Sequence, residues 1–454
     1  MENTRSTVCF VANFYKTYLF HEIAQKLTKN GVSICWIVTK EDQYTFLKQH
    51  YEAEKVLYIS RLDVNRPNPI VDEFKLNELV YGDRVWKHEI GNGLAFLTNI
   101  QEPLYRFLRT NQVRFVIGEI TWAHELLIQR IAKKRKELNC LYLDCSLVRI
   151  PNNRIAFFTD ESQGEMLEFD GKDTATEIIK LEKPSYLKLN DKIVHKSKSL
   201  AGRLGRVKRF ISGENIEAND PNVIINKAIR FKVNSKEEYN KNTYNKIGRV
   251  DFENVENDPY VFVGFHKQPE SSIDVSGRYY EDQHVNIINL WRMLPSGWKI
   301  LVKEHTNAIG DRSYSFYKKL LAYPGILMVN ETTDSKRIIE KSRLVATVTG
   351  TIAYEAALMK VPAITFAKTF FNRINYCRQV TIPDLQKYNS LADLCDELRS
   401  QPDNRLEFSQ YLMKNTFDGY ISDYVTDPTV MDDANIEKLA GVFMKLIEKY
   451  QVAG

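Results

Sequence analysis

Val261-Phe262-Val263-Gly264-Phe265-His266-Lys267-Gln268-Pro269-Glu270 opens the stretch that decides the fold. From 261 to 366, short apolar runs (261–265, 300–302, 326–329, 344–348 and 363–366) alternate with segments of helical spacing (282–293, 315–321, 335–341 and 352–359). That alternation predicts a parallel sheet with crossover helices. Polar residues follow the runs directly: 266–270, then Glu304-His305-Thr306, then Thr349-Gly350-Thr351. In open α/β sheets ligands lie at the carboxyl ends of the strands, so three distant segments converge on one crevice.

The chain around this stretch has 454 residues, long enough for two α/β domains with connections. It carries 63 Lys+Arg against 58 Asp+Glu, a net charge of +5, which does not mark a global nucleic-acid binder. Six cysteines show neither a CxxC nor a zinc-ligand spacing, which fits a reducing compartment. Residues 1–5 lead into a strand without a signal-peptide core, and no apolar run approaches the ~20 residues of a membrane helix. We expect a soluble, cytoplasmic protein, with peripheral attachment to the inner face of the cytoplasmic membrane left open.

The first half predicts strands at 8–11, 33–38, 56–59, 115–118, 141–143 and 155–158, with helices at 19–28, 101–108 and 122–134. Residues 1–182 form one Rossmann-like domain. Its first turn lacks a glycine fingerprint, so a dinucleotide there is not expected. Glu119 and Asp144 each follow a strand, and a carboxylate at that position serves as general base or nucleophile. Glu119 alternatively caps the helix beginning near 122. His124 faces the same cleft or is half-buried. Arg149 and Arg154 lie in a Pro/Asn loop that either binds an anionic substrate or is a surface turn.

Residues 183–258 are a basic linker or insertion. Within it, 183–211 is strongly basic, and 193–211 has the spacing of a helix with Leu200, Leu204, Val207 and Ile211 on one side. Such a run suits an anionic membrane surface or a lipid-linked acidic acceptor; it equally suits a solvated linker. A second domain spans 259–430, and 431–454 ends in a helix with apolar residues on one face.

Thr349-Gly350-Thr351 joins a strand to a helix, where unpaired N–H groups and a bare glycine make a phosphate cradle. Glu355, one turn on, is placed for a ribose diol. A plain N-cap by Thr349 or Thr351 is the alternative. His305 ends a strand among polar neighbours, placed to donate to a phosphate oxygen or to protonate a departing phosphate. Gln268-Pro269-Glu270 follows His266 at another strand end. No Asp-x-Asp lies beside a strand end, and no nucleophile elbow or Walker loop occurs.

These residues resemble the capsule polysaccharide biosynthesis family, which includes bacterial Kdo transferases. The carrying pieces are Gly264-Phe265-His266-Lys267-Gln268-Pro269-Glu270, Tyr280-Glu281-Asp282-Gln283, Leu294-Pro295, Val302-Lys303-Glu304-His305, Gly310-Asp311-Arg312 and Val348-Thr349-Gly350-Thr351 with Tyr354-Glu355-Ala356. Thr306 stands where the family usually has proline after the histidine. The resemblance implies an α/β protein of GT-B type, two Rossmann-like domains facing across a cleft. It implies a CMP-activated donor, typically CMP-Kdo, with no cofactor and no metal. His305, Thr349, Gly350 and Thr351 would hold the phosphate and Glu355 the ribose, with His266, Gln268, Glu270 and Lys303 in the donor pocket. Glu119, Asp144 and His305 would be catalytic, and Arg149 and Arg154 would meet a glycan or lipid-linked saccharide acceptor. The alternatives are a CDP-polyol phosphotransferase or nucleotide-sugar epimerase of this architecture, and a non-catalytic subunit of a capsule assembly complex.

Overall fold

A computed structural model describes residues 6–65, 73–170, 175–182 and 217–451. The basic run 183–211, with the helix expected at 193–211, lies outside the described residues.

The first sheet contains β1 (Thr7–Val11), β2 (Ser33–Val38), β3 (Val56–Tyr58), β4 (Val113–Gly118), β5 (Leu141–Leu147) and β6 (Arg154–Phe158). The second contains β7 (Tyr260–Gly264), β8 (Lys299–Lys303), β9 (Ile326–Val329), β10 (Leu344–Thr347), β11 (Ala363–Thr365) and β12 (Cys377–Gln379). A last strand, β13 (Phe417–Asp418), joins the first sheet, whose order is β13-β6-β5-β4-β1-β2-β3; the second runs β12-β11-β10-β7-β8-β9. Strands buried on both faces read as unbroken apolar runs, and β1 and β10 are buried at every residue.

Both sheets start in the middle. β1 lies between β2 and β4, and β7 lies between β8 and β10, all parallel. The chain winds outward one way from each starting strand and then the other. The crevice at this reversal is where such sheets bind ligands. In the first domain the reversal brings the ends of β1 and β4 together; in the second, the ends of β7 and β10.

Asp144 does not end its strand. β5 runs on to Leu147 because β6 pairs with it antiparallel, so Asp144 sits mid-strand, opposite Gly118 on one side and Phe158 on the other. The first helix begins at Lys16, three residues before the expected start, which brings Lys16 close to the end of β1.

The connection belongs to both domains. Arg61 N–H donates to the Asn219 carbonyl (2.7 Å) and the Asn222 amide to Thr39 Oγ1 (3.1 Å). The helix Lys227–Tyr244 packs instead on the second domain, with the Asn240 amide on the Gly310 carbonyl (2.9 Å). The return to the first domain begins at β13, which pairs antiparallel with β6, ahead of residue 431. The helix Asp433–Gln451 then inserts Phe443 against Phe10 and Phe157, with ring centroids 5.7 and 5.4 Å apart. Two Rossmann-like domains facing across a cleft, with the final helix on the first, make the GT-B arrangement. All six cysteines are free. Among the described residues no helix is long and apolar enough to cross a membrane.

Candidate active site

On the second-domain side, a buried ion pair fixes the strand ends. Glu304, fully buried after β8, takes Arg312 Nη1 on both carboxylate oxygens at 2.9 Å and also accepts the Tyr317 hydroxyl. Arg312 donates in addition to the His266 carbonyl, tying the loop after β7 to the loop after β8. Burial pushes the Glu304 carboxyl up, against the pull of Arg312 and Tyr317.

His266 is committed to the wall of the crevice. Its Nε2 accepts the Thr349 N–H (3.2 Å) and meets Thr347 Oγ1 at 2.9 Å; its backbone N–H donates to Gln283 Oε1 (2.8 Å). Accepting an N–H at Nε2 assigns the proton to Nδ1. Burial first, then the charges of Arg312, His305 and Arg149, lower its pKa to about 3, so the ring is neutral at working pH.

Neither threonine caps the helix Thr351–Leu358. Gly350 is the N-cap, without a side-chain bond, and Thr349 Oγ1 donates to the Ser272 carbonyl at 2.7 Å. Gly350 N–H donates to Thr347 Oγ1 (3.2 Å), and a Cβ at 350 would stand 2.6 Å from that oxygen. The helix N-terminus, with Thr351 at its first position, therefore stays uncapped towards the crevice.

Gln268 spends its groups on the loop: its N–H meets Asp311 Oδ2 (3.0 Å) and its amide Asp274 Oδ1 (2.8 Å). Glu270 accepts the Ser272 hydroxyl (2.8 Å). Lys303 Nζ donates to Ser335 Oγ (2.8 Å); burial lowers its pKa against Asp334, Glu331 and Glu355. His305 is exposed, and its Nδ1 accepts the Asn307 N–H at 3.2 Å, so the neutral ring carries its proton on Nε2. Desolvation of the ring by the surrounding protein lowers its pKa although the residue reaches the surface; Glu270 opposes, and Lys303, Lys267 and Arg149 add to the lowering.

The two loop arginines part company. Arg149, at φ +69°, is exposed and acts electrostatically on both His266 and His305, so it reaches the donor side from the first domain. Among the described residues neither Arg149 nor Lys267 makes an ion pair. Arg154 is not available to an acceptor. It is buried and clasps the returning chain through Thr416 Oγ1 (2.7 Å), the Thr416 carbonyl (2.5 Å) and Asp418 Oδ1 (2.8 Å).

On the first-domain side, Glu119 sits at the reversal point with its side chain 17% exposed. Asn13 donates to its Oε2 (3.0 Å), and Lys16 forms an ion pair with its Oε1. Glu119 does not cap the next helix. Glu125 does, accepting the Thr121 N–H (2.9 Å) and the Trp122 N–H (3.0 Å). Burial and the Glu119 charge push Glu125 up to about 8. Asp144 is 1% exposed and accepts from the Ser146 hydroxyl (2.5 Å) and the Gln163 amide (2.6 Å). Burial pushes it up to about 6; the two hydrogen bonds and Lys16 oppose, while Glu119 adds. Three carboxylates thus surround one lysine, and Glu119 is the member open to the cleft. His124 is buried, its Nε2 has no partner, and burial lowers its pKa to about 3, so it takes no part.

Lys16, Asn13 and Gln163 were not singled out by the sequence. Lys16 and Asn13 straddle the end of β1, a signal that gains meaning only once β1 is known to be central. Gln163 reaches Asp144 from a turn at φ +57° and meets the second domain by accepting the Phe370 N–H (3.0 Å). One edge of the cleft is closed by Arg278, which pairs with both Glu78 and Glu161 of the first domain.

No family model and no curated protein matches the sequence. Solved structures overlap it loosely. The beta Kdo 2,7 transferase KpsC of Thermosulfurimonas dismutans is 9% identical over 96% of this chain and 99% of its own, with a TM-score of 0.35. The UDP-GlcNAc 2-epimerase of Methanocaldococcus jannaschii, in complex with UDP-GlcNAc and UDP, is 12% identical over 94% and 98%, with a TM-score of 0.29. A glycosyltransferase of Rickettsia africae is 12% identical over 98% of both chains, with a TM-score of 0.28.

Proposed function

We propose that the protein is a glycosyltransferase that moves an acidic sugar from a CMP-activated donor, CMP-Kdo or a related ulosonic acid, to a glycan or lipid-linked saccharide acceptor. The observation that supports this is that Arg149 and Lys267 both act on His305, while Arg149 and His305 act on His266, whose ring accepts the Thr349 N–H just before the uncapped helix start at Thr351. These groups offer positive charge and an Nε2–H to one phosphate without a metal ion. The sequence resemblance at 264–270, 302–305 and 348–356 supports CMP as the nucleotide.

In this reaction Glu119 takes the proton of the acceptor hydroxyl, whose oxygen bonds the anomeric carbon. The bond from that carbon to the phosphate oxygen breaks, and CMP leaves with its charge held by Arg149, His305 and the helix N-terminus. Thr351 and Glu355 lie on the helix that follows the phosphate. The basic run 183–211 supports an anionic or membrane-borne acceptor at the cytoplasmic face.

Thermal unfolding with CMP, CDP-glycerol or UDP-GlcNAc, together with CMP release from CMP-Kdo, tests the proposal. CMP is expected to stabilise the fold, and CMP-Kdo to be consumed. Stabilisation by CDP-glycerol or UDP-GlcNAc but not by CMP would sink the donor assignment in favour of a phosphotransferase or an epimerase. CMP binding without turnover of CMP-Kdo would point to a non-catalytic subunit.

A further inference from the structure

A row of aromatic side chains starts at the candidate carboxylates and runs outward over the first domain. Trp122 lies three residues beyond Glu119. Phe14 packs on it with ring centroids 5.8 Å apart, and the neighbouring Tyr15 meets Tyr424 at 5.8 Å. Tyr424 meets Tyr18 at 5.7 Å, and Tyr18 meets Phe46 at 5.0 Å. Phe14 and Tyr15 are 40% and 48% exposed.

The backbone is held to keep this row in place. Phe14 sits at φ +41°, a region a bulky residue rarely adopts, and the Gln43 amide donates to its carbonyl at 2.6 Å. Strain that keeps an apolar ring in water, next to a catalytic position, is what a ligand platform requires. Burying the ring would have been the more favourable packing.

We propose that this row is a carbohydrate track, holding the units of an acceptor oligosaccharide behind the one whose hydroxyl faces Glu119. Pyranose rings present C–H faces to aromatic rings and hydroxyls to polar tips, which tyrosine supplies together. The charges beside the row favour a saccharide over an anionic bilayer. Asp42 acts on Tyr18, Asp423 adjoins Tyr424, and Lys40 is neutralised by Asp42 (3.4 Å) and Glu217 (3.6 Å). At the cleft end a cation stands beside the row, with Asp83 and Asp274 also in its field. Arg84 lies over the Trp122 ring at 5.2 Å, its buried Nε without a partner. An acidic group is therefore best placed near the reacting unit, with neutral units further out. The proposal rests on the glycan acceptor of the preceding section.

The test is retention on a printed array of bacterial surface oligosaccharides of graded length, with CMP binding measured separately by calorimetry. Longer chains should be retained better than single sugars. Tyr15→Ala and Tyr424→Ala should each weaken retention about tenfold with CMP affinity unchanged; the melting temperature should hold in the exposed Tyr15 variant, while Tyr424, packed partly on the core, costs some stability. Absence of any retained saccharide, or retention by both variants equal to that of the wild type, overturns the track. So does loss in Tyr15→Ala of binding to phosphatidylglycerol vesicles rather than to saccharides. If saccharides are retained and CMP is not bound, the donor assignment fails and the track stands.

Discussion

Lys16 and Glu119 form an ion pair across the point where the first sheet reverses direction, one residue from the start of the first helix and the other just past β4. The pair is the only link among the described residues between the lysine and a carboxylate that the cleft can reach. Asp144 and Glu125 feel the same lysine from buried positions. Glu119→Gln keeps the shape and removes the base. Turnover is expected to fall by ~10²–10⁴ with CMP affinity unchanged. Single-turnover rates alongside calorimetric binding would show it, and near-normal turnover would remove Glu119 from the chemistry.

Gly350→Ala places a methyl group 2.6 Å from Thr347 Oγ1, the atom that bonds both His266 and the Gly350 N–H. The strand-to-helix turn must shift. Nucleotide affinity is expected to drop at least about tenfold with a small loss of stability. Calorimetry at constant fold, checked by circular dichroism, decides it; unchanged affinity would mean the turn does not contact the nucleotide.

Removing one partner of a buried pair leaves an uncompensated charge. Arg312→Met strands Glu304 and frees the His266 carbonyl, so a loss of ~3–5 kcal/mol is expected in urea unfolding. The double variant with Glu304→Gln should cost less than the sum of the two single changes. Simple additivity would show that the two groups do not act as a unit.

Glu125 gives a pH signature. Its folded pKa, pushed up to about 8, lies above its ordinary value of 4.5. Between these values the folded state keeps a proton that the unfolded state has released. Stability therefore declines as pH rises through this window and carries no penalty below it. Glu125→Gln keeps an acceptor for the cap and removes the slope. Its advantage over the wild type should be absent at pH 4 and reach roughly 5 kcal/mol by pH 9. A difference that does not vary with pH would contradict the assignment.

Much of this architecture is legible in the sequence because strands buried on both faces must be unbroken apolar runs. β7 to β11 follow directly from that constraint. β12 escapes it: Cys377-Arg378-Gln379 is an edge strand with one buried residue. β13, two residues long, offers no period at all. The site is legible in part. Polar residues after β7, β8 and β10 do meet, since a parallel sheet collects its strand ends. Their division of labour is not visible in sequence, because it depends on Glu304 and Arg312 being buried. Arg154 misleads for a related reason. It looks like a loop cation, yet its partner Thr416 lies 262 residues further along.

The first domain is closed by the last segment of the chain. β13 supplies its edge strand, and Phe443, Leu446 and Ile447 fill its core from the helix Asp433–Gln451. During synthesis, the first sheet therefore emerges early and waits. Its outer edge at β6 and the apolar face around Phe10 and Phe157 stay unsatisfied while the whole second domain is being made. Completion of the first domain on the ribosome is therefore expected to follow synthesis of the second, an order that the protease resistance of nascent chains ending before Phe417 would reveal.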